Sequence, residues 1–393
     1  MKFDEIVGQD ELKRKLAEQI DSGRISHAQL FTGLSGYGTL QMAFAYIQYL
    51  FCTNRHDGDS CGECPSCRML DFFSHPDLHM VFPVNKREKR SGEVVTSDMF
   101  LDKWRDLCLR KGALFTPTLW YEQLDLGKNM KGMITAKESE NMIKKLSLKP
   151  YASSWKAMLI WLPETMNQEA ANKILKILEE PWDRTLFILV SEHPELLLPT
   201  IKSRTQEVVV PPIDSSILEE LAHLWDIDYD TSRIMARICK GSLIEFSTLI
   251  HGGCDETRSG LFELFCRLMR LCYADKHMEL MGWADDVALL SREGQVNFLK
   301  NTARLLRESY MKHIGMDAIT YLWGEEDEFC TKFAPYIDNT NIEPLVAECE
   351  RAIAEIDQYC ITRVLFSHFA LNVSKLIRKP QTPQGTISTK VSS

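Results

Sequence analysis

The segment that most constrains this chain is residues 28 to 51. A short apolar strand runs there into a glycine loop, and the loop runs into a helix. The loop reads Gly33-Leu34-Ser35-Gly36-Tyr37-Gly38-Thr39-Leu40. Strand, glycine loop and helix in that order form the context of a phosphate-binding loop, whose working form is GxxxxGK[ST]. In that form the lysine reaches the β- and γ-phosphates, and the Ser or Thr hydroxyl holds Mg²⁺. Thr39 and Leu40 stand at those two positions. The glycines that bend the backbone, Gly33, Gly36 and Gly38, are kept. The cation and the metal-binding hydroxyl are lost, so no functional ATP or Mg²⁺ site is expected.

The first half of the chain alternates strand and helix signals. Leu12, Leu16 and Ile20 mark an amphipathic helix over 9–21, and residues 40–51 read as the next helix. Strands are predicted at 28–32, 78–82, 157–162, 186–191 and 207–210. This alternation predicts an α/β domain with a parallel sheet covered on both faces. Residues 84–133 break the rhythm with a basic cluster at 86–90 and the aromatics Trp104, Phe115, Trp120 and Tyr121. They read as a surface insertion whose basic cluster is a solvated turn. Pro211-Pro212 marks a boundary. The expected domains are 1–210 (α/β), 211–252 (a small helical lid) and 253–378 (all helical). A tail at 379–393, rich in Pro, Thr, Ser and Gly, is expected to be disordered.

At 393 residues the chain exceeds one ordinary core. Its net charge of −9 excludes a general polyanion binder. It has no apolar run of about 18 residues or more, so no membrane span is expected. Met1-Lys2-Phe3-Asp4-Glu5 carries acids where a signal peptide has basic and apolar regions. Together these features predict a cytoplasmic protein.

Four of the 12 cysteines, Cys52, Cys61, Cys64 and Cys67, form C-x8-C-x2-C-x2-C. Overlapping C-x2-C units in a polar loop, with Gly62 and Pro65 to turn the chain, can surround one ion. Zn²⁺ favours such closed four-thiolate sets, which are structural because no position is left for water. Free thiols, a redox pair or an iron–sulfur cluster are the alternatives. His56 and His75 lie near the set but are not needed by it. The other eight cysteines read mostly as small buried hydrophobes.

An active NTPase also needs acids at the end of a buried strand. The strand Ala157–Leu162 ends without an aspartate, and Glu164 follows a proline as a turn residue.

Residues 167–181, with Asn172, Leu175, Lys176, Leu178, Glu179, Glu180 and Pro181, resemble the N-x-L-L-K-x-L-E-E-P signature of the clamp-loader AAA+ family. Ile6-Val7-Gly8-Gln9, Ser26-His27-Ala28-Gln29 and Ile201-Lys202-Ser203-Arg204 also resemble its motifs, with Thr205 in place of a cysteine. The likeness covers 1–83 and 134–210 closely, and extends loosely to about 375. A zinc module in this position is found in the same bacterial family. The family's Asp-Glu pair falls on Trp161 and Leu162, and its lid arginine falls on Ile244. This pattern resembles family members whose own nucleotide site is degenerate.

The resemblance implies an AAA+ domain, a lid and a helical collar. It implies a non-hydrolysing subunit in a heteropentamer with ATP-binding motor (tau/gamma) and delta subunits of the bacterial replicative polymerase. That assembly loads a sliding clamp on primed DNA. In such rings an arginine of one subunit serves the nucleotide of its neighbour, and the Ser-Arg context puts Arg204 in that role. The competing role for Arg204 is a surface arginine bound to a local carboxylate. For the whole chain, the rival readings are a divergent NTPase and a zinc-dependent nucleic-acid adaptor.

Overall fold

The computed structural model describes residues 1–84, 95–124, 132–250, 255–322, 324–357 and 360–377. The basic cluster at 86–90, Cys254 and the tail at 379–393 lie outside them. Two compact units are present, 1–250 and 251–393.

In the first unit, strands β1 (Ala28–Thr32), β2 (Leu78–Val81), β3 (Lys156–Trp161), β4 (Thr185–Ser191) and β5 (Gln206–Val209) form one sheet of order β2-β3-β4-β1-β5. Every pairing is parallel. The alternating signals and the parallel sheet therefore agree, each strand within a residue or two of expectation. β1, β3 and β4 are buried at every position, as strands covered on both faces must be. The covering helices are α1 (Asp10–Asp21), α2 (Thr39–Phe51), α3 (Pro65–Asp71), α4 (Leu101–Lys111), α5 (Pro117–Gln123), α6 (Ala136–Ser147), α7 (Gln168–Glu179) and the short α8 (Pro199–Lys202). β1 is registered against β4 through Ala28–Phe187 and against β5 through Gln29–Gln206. The glycine loop thus starts at the carboxyl end of a central strand, where α/β sheets place their ligand crevices.

The surface-insertion reading of 84–133 is corrected for the described part. Trp104 of α4 and Trp120 of α5 are fully buried. Trp104 stacks on Phe82 at 4.4 Å between centroids and contacts Trp161, at the end of β3, at 4.8 Å. Trp120 crosses Trp104 edge-on at 5.1 Å, and its indole N–H donates to Pro83 O at 2.9 Å. The cause is visible in α4 itself. Trp104, Leu107 and Cys108 recur at helical spacing on one face, and that face needs an apolar cover. β3 ends in a tryptophan that supplies it.

Three helices follow, α9 (Ser215–His223), α10 (Tyr229–Ile238) and α11 (Leu243–Ile250), in the region expected to be a lid. Asp214 and Asp228 cap the first two through Ser216 N and Thr231 N. Leu218, Ala222, Ala236 and Phe246 form their core, against which Val7 and Leu114 also pack.

The second unit is helical among its described residues. It comprises α12 (Asp255–Tyr273), α13 (His277–Ala288), α14 (Arg292–His313), α15 (Glu325–Phe333), α16 (Ile342–Asp357) and α17 (Thr362–Leu376). Trp283, Phe298, Phe366 and Phe369 interlock at its centre. Cys266, Cys272, Cys330 and Cys349 are buried there, as Cys108 and Cys239 are in the first unit, whereas Cys360 is exposed. Among the described residues no helix is long and apolar enough to cross a membrane.

Trp104→Ala removes the ring on which Phe82, Phe115, Trp120 and Trp161 converge. It should lower stability by about 3–5 kcal/mol in urea unfolding followed by tryptophan fluorescence.

Candidate functional site: glycine loop, outer arginine and cysteine cluster

The glycine loop is closed on itself. Residues Ser35–Tyr37 wind into a 3₁₀ turn, and Gly38, at φ 80°, caps α2 in the left-handed region that glycine adopts without strain. Phosphate loops work by aiming free backbone N–H groups at the anion. Here Gly33 N donates to Ser191 O at 3.2 Å, Tyr37 N to Leu34 O at 2.9 Å and Gly38 N to Ser35 O at 3.2 Å. The Thr39 hydroxyl turns back to Leu34 O at 3.2 Å. Thr39 and Leu40 are both buried, with Leu40 in the main core. Ser35 Oγ bonds the Glu192 carboxylate.

The turn before α11 sits on this loop. The Ser242 side chain lies where any Cβ at Gly36 would have to be, so only glycine allows the approach. Ser242 Oγ also accepts from Glu245 N at 3.2 Å at the start of α11. Gln9 ties the junction from below, its Nε2 donating to Tyr37 O at 2.9 Å and to Pro211 O at 2.6 Å. One side chain thus joins the N-terminal segment, the loop and the entry to the lid. Ile244 is half-buried in the first turn of α11.

At the end of β3, Trp161 and Leu162 are buried. Leu162 is held at φ 55°, and its N–H donates to Val190 O at 2.8 Å. Glu164 accepts from Ser191 Oγ at 2.9 Å, Glu192 N at 3.1 Å and His193 N at 3.2 Å. These bonds make it a brace between the ends of β3 and β4, in line with its expected place in a turn.

Arg204 follows α8 on the outside of the unit. Nε donates to Glu179 Oε1 at 2.7 Å, and Nη1 donates to Thr200 O at 3.0 Å and Ser203 Oγ at 3.2 Å. Its side chain is 32% exposed and that of Glu179 48%. The local carboxylate partner considered for Arg204 is therefore present, and it belongs to the Glu-Glu-Pro signature. The residue just before Glu179 is anchored by His27, whose Nε2 bonds Leu178 O at 2.8 Å. Since a carbonyl only accepts, Nε2 carries the proton.

Cys52, Cys61, Cys64 and Cys67 converge, with their sulfurs all within 4.8 Å of one another. Cys52 ends α2, and Cys64 and Cys67 begin α3, so two helix ends hold three of the four. The Cys52–Cys61 and Cys61–Cys67 separations are 3.6 and 4.0 Å. A tetrahedron with Zn–S near 2.3 Å has edges of about 3.8 Å, so the set fits zinc. Asn54 N and Cys61 N donate to Cys52 Sγ at 3.4 and 3.3 Å, and Cys64 N donates to Cys61 Sγ at 3.3 Å, which suits thiolates. Against the opposing effect of burial, N–H groups of Thr53 and Cys67 bring the Cys64 thiol down to about 6. His75 stays out of the set. It packs at a tilt against Phe51, with ring centroids 4.8 Å apart, and accepts from Asp77 N at 3.1 Å.

Asp59 beside the cluster is a site residue that sequence reading missed. It is buried and accepts from Phe3 N at 3.1 Å, Asp4 N at 2.9 Å and Ser60 N at 2.6 Å. The loop around it reads as mixed surface charge, and nothing local announces a bond across 55 residues. Metal analysis of the purified chain should return one zinc per chain. Cys64→Ser should weaken zinc retention against a chelator by at least about ten-fold.

Comparison with known proteins gives a family model described as DNA polymerase III, delta subunit, matching residues 8–214. The DNA polymerase III subunit delta' of Yersinia pestis is 30% identical over 193 residues, 49% of this chain and 43% of that protein. The Bacillus subtilis subunit delta' is 28% identical over 230 residues, 58% of this chain and 54% of that protein. The Escherichia coli subunit delta' is 24% identical over 310 residues, 78% of this chain and 76% of that protein. The chain thus spans about half the length of the first two relatives. With the family model covering more than half of its residues, the loop, the Glu-Glu-Pro helix and the outer arginine included, the chain belongs to the DNA polymerase III delta-subunit family and is similar to its delta' members.

Proposed function

We propose that this chain is a non-hydrolysing AAA+ subunit of a bacterial clamp loader. In this role it is a scaffold that presents Arg204 to the ATP held by a neighbouring motor subunit. The observation that carries this reading is the filled loop. The Gly33, Tyr37 and Gly38 N–H groups are bonded within the protein, Thr39 and Leu40 are buried in place of the cation and the metal-binding hydroxyl, and the lid's Ser242 rests on Gly36. A chain that does not turn over nucleotide keeps value in such a ring through its surfaces. Arg204 is on the outside, partly exposed, just after a short helix packed against α7. A guanidinium is permanently charged and planar, which suits the charge spread over a transferring phosphoryl group.

In this reading the domains keep their proposed limits: 1–210 is the AAA+ domain with the zinc module at 52–67, 211–252 the lid and 253–378 the collar. The zinc is structural. Motor (tau/gamma) and delta subunits complete a heteropentamer, which acts in the cytoplasm on the sliding clamp and primed DNA.

The experiment is ATP hydrolysis by the motor subunits with clamp, primed DNA and this chain. Arg204→Ala should leave assembly intact on gel filtration. It should silence the one site that Arg204 serves, since such arginines supply roughly 10³–10⁵ in rate. An unchanged rate in an intact assembly sinks the role. The wild-type chain alone should show no ATP binding by calorimetry. Micromolar affinity for ATP would favour the divergent NTPase instead.

A further inference from the structure

Arg204 is not idle in the isolated chain. Its guanidinium has five N–H donors. Nε and Nη2 engage the same oxygen of Glu179, and Nη1 engages Thr200 O and Ser203 Oγ. One donor on Nη2 is left over, too few for a two-point grip on phosphate. Any anion that takes this side chain must take it from Glu179.

Glu179 is an odd choice for its place. It is the last residue of α7, and Glu180 follows. The carboxyl end of a helix carries the negative end of the dipole, where acids are disfavoured and cations favoured. A carboxylate there works against its own helix, and the Arg204 guanidinium offsets it. The pair is also open to water, with the side chains 32% and 48% exposed. Exposed pairs are weak and exchangeable. A triphosphate brings more charge and a matching row of oxygens.

We propose that Glu179 is a positioning residue that holds Arg204 against the α7–α8 junction until a neighbouring subunit presents a nucleotide triphosphate, and then yields it. The exchange moves no proton and breaks no covalent bond. It sets the nucleotide concentration at which the shared site fills, because the carboxylate competes with the phosphate for one cation. This inference rests on the reading that Arg204 acts in trans.

The test is Glu179→Gln in the full assembly with motor and delta subunits, clamp and primed DNA. The amide keeps the size and an acceptor oxygen but loses the charge. The ATP concentration for half-maximal hydrolysis should fall by about two- to five-fold, the range that matches an exposed ion pair. The maximal rate should stay the same. The double variant Arg204→Ala with Glu179→Gln should behave as Arg204→Ala alone. In the isolated chain, the Arg204 Nε–H signal in ¹⁵N NMR should exchange faster with water in E179Q than in the wild type. An unchanged half-maximal concentration overturns the proposal, and so does a lower maximal rate, which would make the carboxylate a required orienting group. If Arg204→Ala itself changes nothing, the reading of a trans-acting arginine fails instead.

Discussion

The pairing of β1 on both sides, with β4 and with β5, is the constraint on which the rest of the first unit depends. A strand bonded on both edges and buried on both faces has no freedom of register. Its end is therefore a fixed point, and the glycine loop leaves from it. The same frame sets Ser191 of β4 beside Gly33 and Val209 of β5 beside Thr32. Loop, strand ends and lid entry are assembled around that point.

Within this frame the glycine loop is packed against protein. Its Gly33, Tyr37 and Gly38 N–H groups are spent on nearby carbonyls, and a polar group already bonded gains little by exchanging partners. The aromatic cluster below the end of β3 continues the pattern. Trp161, the last residue of β3, packs on Trp104 and Phe115. A tryptophan at that position is a large buried apolar surface and not a ligand. The described part of 84–133 completes that surface with Trp104, Phe115 and Trp120.

The cysteine cluster and Asp59 act on the other flank. Cys52 ends the helix that the glycine loop begins, and Asp59 holds the backbone of Phe3 and Asp4. The same N-terminal segment runs on to Gln9, which bonds both the loop and Pro211. A metal at the cysteines would stiffen one continuous path from α2 through the N-terminal segment to the lid entry. Rigidity of that kind suits a subunit proposed to hold still while its neighbours move.

Much of this was legible in the residues because the signals are local. Strand and helix periods, the loop with Thr39 and Leu40 in place of a working pair, the spacing of Cys52, Cys61, Cys64 and Cys67, and the Glu-Glu-Pro helix each lie within a short stretch. Local chemistry determined that the chain has a parallel α/β domain, carries Thr39 and Leu40 after its last loop glycine and gathers four thiols. The tertiary structure alone decided what depends on distant partners. It brought Trp104 under Trp161, set Ser242 on Gly36 and bonded Asp59 to Phe3. It also placed Glu179 on Arg204, where the sequence offered only an unnamed local carboxylate as one alternative. The physical reason is common to all four. A buried ring, a close approach or a charge pair is defined by the space between two elements, and that space does not exist until the sheet has brought them together.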